Sequence, residues 1–386
     1  MKSWIKSILV VAALCCPSPA QENEDATIEP HRTGAFQVTL EGLEVAILRQ
    51  TTFDYKNKKL QGAPNSGYVQ EQNGVEAVYE VHVPANYDQE EAFGLVVWIS
   101  ASDSGRWPPP WEDLLARHKL IAIGANQSGN KRPSQFRAGY ALQAVKLMLP
   151  NYNIDFDRIY LSGISGGGRA CSTSMMLYNQ VFSGGFPTIG ANPIIPMANV
   201  DSRGNRYRAR GLQWINPDRL DDASSFGRYV FLTGEKDFNQ KNVKAVSTGY
   251  KRNKFKFIEY MEQPQMGHGL QSAEYIEKAV MWLDEKLPEV AAAKFKEAKK
   301  RREDAPGQCF AFYETASRHC VDQEQVETAE VELEKLKATY GSELTELKKT
   351  LESLPKDAAR KVDEFAARWG RLAVDDLPEV KEMTAK

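Results

Sequence analysis

Residues Arg158–Ala170 read RIYLSGISGGGRA, and this segment decides the fold of the chain. Its first half is a continuous apolar run, which is typical of a strand buried on both faces of a parallel sheet. The residues from Gly168 to Gln180 favour a helix. Between strand and helix, Gly163-Ile164-Ser165-Gly166-Gly167 fits the pattern G-x-S-x-G, a tight turn that exposes a serine hydroxyl at the carboxyl edge of a sheet. The segment therefore predicts a strand–turn–helix unit with Ser165 at the turn.

Further apolar runs on both sides of this unit predict more strands of the same sheet, and helical stretches follow them. Strands that alternate with helices favour an α/β fold with a doubly wound, mostly parallel sheet. Alternating apolar residues from Phe36 to Leu40 add an N-terminal β extension. The predicted strands are Leu95–Ser100, Leu120–Ala125, Arg228–Thr233 and Phe255–Tyr260, and the other predicted helices are Ser134–Leu149, Gln240–Tyr250 and Ser272–Leu287.

The first twenty residues have the composition of a secretory signal peptide. Lys2 and Lys6 precede a short apolar stretch, and small residues end the segment at Ala20. We therefore expect a signal peptide at 1–20, a flexible leader at 21–34 and a secreted or periplasmic protein. A lipoprotein anchored through Cys15 or Cys16 is the alternative.

The composition changes near residue 290, which divides a domain over 35–290 from a segment over 291–386. In that segment 38 of 96 residues are charged, and leucines recur at coiled-coil spacing, slipping by one residue at Gly341. This pattern predicts an appendage of two or three helices that packs on itself or on the first domain, or that contacts a protein partner. In an oxidising compartment Cys309 and Cys320 would form the disulfide, and Cys171 would be a small buried residue.

Composition and motifs exclude several classes of function. The 49 basic and 51 acidic residues give a net charge of −2, without the basic excess of a nucleic-acid-binding protein. No apolar run after the first twenty residues approaches the ~20 residues that span a bilayer. No H-x-x-x-H or C-x-x-C pair is present, so we expect neither a metal nor a cofactor.

A serine hydroxyl is a weak nucleophile and requires a general base that an acid orients. Only His268 and His319 follow Ser165, and His268 lies in the glycine-flanked loop QMGHG after a predicted strand. The acid is expected after the strand that ends at Thr233, where Asp237 is the first choice and Glu235 the alternative. The sequence thus predicts Ser165, Asp237 and His268 as a reactive group.

Reaction at a carbonyl also requires two N–H donors for the developing oxyanion. We expect one from Gly166, directly after the serine, and the other from Ala101 or Ser102, after the strand LVVWIS. The predicted substrate pocket includes Trp107, Trp214 and Arg208.

Residues from about Tyr79 to Leu287 resemble the secreted α/β-hydrolases of the polyhydroxybutyrate-depolymerase and feruloyl/acetylxylan-esterase type. The resemblance rests on the segments VHVPANYD, LVVWIS, NYNIDFDRIYLSGISGGGRA, LTGEKD and QMGHG. It implies an α/β-hydrolase fold and cleavage of carboxylic esters through an acyl-enzyme at Ser165, with glycan-linked or polymeric esters as substrates. One departure is Ser100-Ala101, where such proteins often have His-Gly. A serine peptidase and a catalytically silent binding or scaffold protein of the same fold remain the alternatives.

Overall fold

The structure is a computed structural model that describes residues 28–41, 53–54, 59–60, 76–212, 217–301, 305–352 and 358–369. The predicted signal peptide lies outside these residues, so secretion stays a prediction. The chain divides into two compact units, one ending at Glu285 and the other beginning at Lys286. None of the described helices is both long enough and apolar enough to cross a membrane.

The first unit is built on an eight-stranded sheet. Counted along the chain, its strands have the spatial order 1-2-4-3-5-6-7-8. The second strand pairs antiparallel with both of its neighbours, and the six strands beyond it are parallel. The sheet strands are β1 (Gly34–Glu41), β4 (Glu76–Val83), β5 (Phe93–Ile99), β6 (Leu120–Ala125), β7 (Ile154–Ile164), β8 (Gly184–Thr188), β11 (Arg228–Gly234) and β12 (Phe257–Gln263). Two two-stranded pairs lie outside it, β2 (Phe53–Asp54) with β3 (Lys59–Leu60) and β9 (Met197–Val200) with β10 (Arg206–Ala209).

Helices flank the sheet in the pattern expected of a doubly wound fold. A connection between two neighbouring parallel strands needs a dozen or more residues and is right-handed. Helices form these connections between the parallel strands of this sheet. The helices of this unit are α1 (Glu112–Arg117), α2 (Ser134–Met148), α3 (Gly166–Leu177), α4 (Pro217–Phe226), α5 (Gln240–Arg252) and α6 (Ala273–Glu285), with a 3₁₀ turn at Pro109–Trp111.

The apolar runs of the sequence form the centre of the sheet. Every residue of β5, β6 and β11 is buried, as expected for strands covered by helices on both faces. Burial of their apolar side chains stabilises the unit through the hydrophobic effect. The sheet thus fixes the positions of the loops at its carboxyl edge.

The strand β8 was not predicted, because its sequence GGFPT has the composition of a turn. It lies between β7 and β11, and all five residues are buried. A Cβ at Gly184 would stand 2.4 Å from the carbonyl oxygen of Arg228, and one at Gly185 2.4 Å from that of Leu161. The glycines therefore let three strands approach closely, a requirement that only the packed sheet reveals.

The second unit is helical, as the charged segment predicts. Leu333, Leu336, Leu347 and Leu351 are buried along one long helix, which continues through Gly341. Tyr340 of this helix contacts the rings of Phe365 and Trp369, at centroid distances of 5.8 and 5.2 Å. The described residues form four helices rather than two or three: α7 (Leu287–Arg301), α8 (Pro306–His319), α9 (Gln323–Glu352) and α10 (Ala358–Trp369).

The predicted disulfide between Cys309 and Cys320 is wrong, because the structure joins neither cysteine in a disulfide and the Sγ of Cys309 donates instead to the carbonyl oxygen of Ala298. Cys309 lies in the first turn of α8, and Cys320 directly follows the last residue of that helix. Eleven residues of helix rise roughly 16 Å. A disulfide holds its two Cα atoms within about 7 Å, so the helix separates the pair. Cys171 is buried and free, and its Sγ donates to the carbonyl oxygen of Leu161.

Candidate active site

Ser165 lies at the turn between β7 and α3. Its backbone has φ 54° and ψ −112°, a conformation that a residue with a side chain rarely adopts. Its N–H donates to the carbonyl oxygen of Thr188, and its carbonyl oxygen accepts from the N–H of Arg169. These bonds hold the strained turn in place and direct the side chain out of the sheet.

The glycines around Ser165 are required by close contacts between backbones. A Cβ at Gly167 would stand 1.9 Å from the carbonyl oxygen of Ile99, at the end of β5. A Cβ at Gly190 would stand 2.2 Å from the carbonyl oxygen of Ser165. Any side chain at these positions would push the turn away from the strand ends that support it.

A continuous chain of hydrogen bonds joins the three residues predicted as the reactive group. The Oγ of Ser165 lies 2.9 Å from Nε2 of His268. The Nδ1 of the same imidazole lies 2.7 Å from Oδ1 of Asp237. With the proton on Nδ1, His268 donates to Asp237 and its Nε2 accepts from the serine hydroxyl. The structure therefore brings together side chains that are 103 and 31 residues apart in sequence.

Asp237 is buried and receives two further hydrogen bonds. The hydroxyl of Thr233 donates to its Oδ2 at 2.9 Å, and the N–H of Asn239 donates to its Oδ1 at 3.0 Å. These two bonds hold the carboxylate in a fixed orientation beside the imidazole. Glu235, the alternative acid, instead accepts from both the backbone and the side-chain N–H groups of Gln265. The structure thus places Asp237, and not Glu235, beside the imidazole.

Further polar contacts join the loop that follows β11, which contains Asp237 and is called the acid loop, to α3. Arg169 donates to the side-chain oxygen of Asn239 at 3.0 Å, and Asn239 donates to the carbonyl oxygen of Ile189 at 2.9 Å. Burial lowers the pKa of Arg169, and the nearby Tyr207 and Asp237 oppose that shift. Ile189 has φ 47°, an outlier for a β-branched residue. No local sequence pattern distinguishes Arg169, Ile189 or Asn239, so these residues were not predicted.

The loop after β5 also lies against the serine turn. Ser100 is buried, and its Oγ accepts from the N–H of Ser102 at 3.1 Å. That bond occupies the N–H of Ser102, whereas none of the described hydrogen bonds engages the N–H of Ala101. Gly166 is the first residue of α3, so its N–H has no partner within the helix. Of the two alternatives for the second donor, the loop geometry therefore favours Ala101.

A buried arginine, absent from the sequence predictions, bridges these two segments. Arg137 of α2 is 3% exposed, and it donates to the carbonyl oxygen of Ser100 at 2.6 Å and to that of Gly166 at 3.0 Å. Burial lowers its pKa to about 10, which leaves the guanidinium protonated at neutral pH.

An exposed aromatic ring covers one face of the imidazole. Phe238 is 57% exposed, and its ring stacks on that of His268 with the centroids 4.0 Å apart and the planes at 26°. Phe238 directly follows Asp237, so the acid loop provides both the partner of Nδ1 and the surface beneath the ring.

The three predicted pocket residues have different environments. Trp107 is 4% exposed and packs edge-on against Trp98 and Trp111, which makes it a core residue. Arg208 lies on β10 and is exposed. Trp214 lies outside the described residues.

No protein-family model matches the sequence, and no curated protein matches it. Among solved structures, a feruloyl esterase module from Clostridium thermocellum is similar at 11% identity over 69% of this chain and 94% of that one, with a TM-score of 0.45. A thermostable esterase is similar at 19% identity, with a TM-score of 0.39. The similarity covers 55% of this chain and 60% of that esterase. Porphyromonas gingivalis dipeptidyl peptidase 4 matches at 17% identity over 65% of this chain, with a TM-score of 0.40, and this chain spans 42% of it.

These identities are low, so the fold assignment rests on the architecture itself. The second strand of the sheet is antiparallel, and the strands beyond it are parallel. The serine turn joins β7 to α3 at the carboxyl edge of that sheet. An imidazole and a carboxylate reach this turn from loops that follow later strands, in the chain order serine, acid, histidine. Residues 28–285, where the structure describes them, have the α/β-hydrolase fold.

Proposed function

We propose that this protein is a serine hydrolase that cleaves carboxylic esters through an acyl-enzyme. The observation that carries the proposal is the unbroken hydrogen-bond chain from Ser165 through His268 to the buried Asp237. A serine hydroxyl becomes a nucleophile only when a base can take its proton as it attacks. The ester class rests on the resemblance of residues 79–287 to esterases, which also suggests glycan-linked or polymeric substrates.

In the proposed mechanism the Oγ of Ser165 attacks the ester carbonyl and its proton passes to Nε2 of His268. Asp237 stabilises the imidazolium and keeps the other proton on Nδ1. The N–H groups of Gly166 and Ala101 donate to the oxyanion of the tetrahedral intermediate. His268 then protonates the leaving alcohol, which departs and leaves the acyl group on Ser165. A water molecule, deprotonated by His268, attacks the acyl-enzyme and releases the acid.

A covalent probe and a substrate panel test the proposal together. A fluorophosphonate is expected to label the wild-type protein at one site, Ser165, identified by peptide mass spectrometry. Turnover is expected on p-nitrophenyl acetate and on methyl ferulate or acetylated xylan, but not on aminoacyl p-nitroanilides. Turnover of the anilides alone would identify a peptidase. Absence of both labelling and turnover would favour a catalytically silent binding protein.

The ring of Phe238 is expected to support catalysis and to contribute only a little to folding. Stacked aromatic pairs contribute about 0.5–1.5 kcal/mol, so Phe238→Ala should lower kcat/KM roughly 2- to 10-fold. Its melting temperature should fall by no more than a few degrees, since the ring is largely exposed and loses one stacking contact. Phe238→Tyr retains the ring and is the matched control. A Phe238→Ala enzyme with the kcat/KM of Phe238→Tyr would show that the stacking has no catalytic effect.

A further inference from the structure

We propose that Arg137 is a positioning residue that orients the Ala101 N–H of the oxyanion hole. This inference rests on the proposed function of the site. Its basis is the pair of peptide groups that the guanidinium contacts, because each of them lies next to one of the two expected N–H donors, Ala101 and Gly166.

The first contact fixes one peptide plane. The carbonyl of Ser100 and the N–H of Ala101 belong to the same planar peptide group and point in opposite directions. A guanidinium hydrogen bonded to the Ser100 oxygen at 2.6 Å therefore holds the Ala101 N–H directed away from Arg137. The charge also polarises the peptide, because hydrogen bonds in series strengthen one another in a low-dielectric interior.

The second contact joins the two segments that supply the donors. Arg137 also donates to the carbonyl oxygen of Gly166, in the first turn of α3. The same side chain thus fastens the loop after β5 to the turn that follows Ser165. The carbonyl oxygen of Ala101 accepts from the N–H of Asn130 at 3.0 Å. Ala101 is therefore held through the peptide groups on both of its sides.

The alternative role for Arg137 is structural support alone, and the chain offers a matched control for it. Arg228 is also a buried arginine, 1% exposed, that donates to backbone carbonyls, those of Leu283 and Asp157. It begins β11, whereas Asp237 follows the other end of that strand. Six residues of strand rise about 20 Å, so Arg228 lies far from the reactive group.

The experiment compares Arg137→Met, Arg137→Lys and Arg228→Lys. The fraction of each protein with an intact active site is measured first, as the end point of fluorophosphonate labelling. Rates expressed per labelled site then do not depend on how much of a variant is folded. For each variant, kcat and KM on p-nitrophenyl acetate are then measured per labelled site. The inhibition constant of phenylboronic acid is also measured, because its tetrahedral serine adduct places an oxygen where the oxyanion would lie.

For Arg137→Met we expect kcat per labelled site to fall roughly 10- to 100-fold, which is less than loss of a whole donor. KM should stay within about threefold, and the inhibition constant should rise by a factor similar to the fall in kcat. Arg137→Lys should fall between this variant and the wild type, because one ammonium group cannot match the two-pronged geometry of a guanidinium. Arg228→Lys should lower the melting temperature but leave kcat per labelled site within about twofold.

The proposal is overturned if both Arg137 variants keep the wild-type kcat and inhibition constant per labelled site. If Arg137→Met does not fold, the same comparison between Arg137→Lys and Arg228→Lys decides the matter. A wild-type protein that neither labels nor turns over would instead contradict the proposed function, so the two failures are distinguishable.

Discussion

The variant Ser165→Ala is expected to lose on the order of 10⁶-fold in kcat, the effect seen when a hydrolase loses its serine nucleophile. The imidazole, the carboxylate and both expected oxyanion donors remain in place, so KM should change little. Labelling by a fluorophosphonate should disappear completely. The measurement is steady-state hydrolysis of p-nitrophenyl acetate with protein purified free of host esterases.

Ser224→Ala is the matched control, because this serine lies on α4 and its hydroxyl, the group that the substitution removes, donates to the carbonyl oxygen of Asp221. It should keep the activity and labelling of the wild type. Melting temperatures of all three proteins should agree closely, since the Ser165 hydroxyl bonds to a partly exposed imidazole rather than to the core. Activity that survives in Ser165→Ala would assign the reaction to another group.

The variant Asp237→Asn is expected to lose roughly 10⁴-fold in kcat. Asparagine has nearly the same shape, but its amide cannot stabilise the imidazolium and can present a donor to Nδ1. His268 would then hold its proton on Nε2, the atom that must accept the proton of Ser165. The hydroxyl of Thr233 and the N–H of Asn239 would also lose a charged acceptor.

Comparing Glu235→Gln with Asp237→Asn shows which carboxylate is the acid, because the sequence left Glu235 as the alternative to Asp237. Its carboxylate faces Gln265 in the structure, so kcat should stay within about twofold of the wild type. Both variants are measured on the same ester, with kcat expressed per fluorophosphonate-labelled site. A larger loss in Glu235→Gln than in Asp237→Asn would mean that the loop exchanges the two acids during the reaction.

The sequence was most informative where a local pattern has a single structural solution. The apolar side chains of the runs LVVWIS and LIAIGA are removed from water only when both faces of the strand are covered. These runs form the buried strands β5 and β6. The turn around Ser165 needs glycines at fixed positions, so its motif was visible without any tertiary information.

It was least informative where packing overrides local preference. The strand β8 reads GGFPT and was missed, because its glycines serve the close approach of neighbouring strands. The spacing of Cys309 and Cys320 suggested a disulfide that the intervening helix prevents. Trp107, expected in a pocket, packs in an aromatic core.

By itself, then, the amino-acid sequence determined the α/β class, the positions of the main strands along the chain, and Ser165 and His268 as candidate reactive residues, with two candidates for the acid. Each of these follows from hydrophobic patterning and turn chemistry, which act over a few neighbouring positions. Only the tertiary structure decided that Asp237 rather than Glu235 meets the imidazole, and that Arg137 holds Ser100 and Gly166 together. Those contacts join residues up to 37 positions apart, and their geometry exists only once the sheet has fixed where each loop begins.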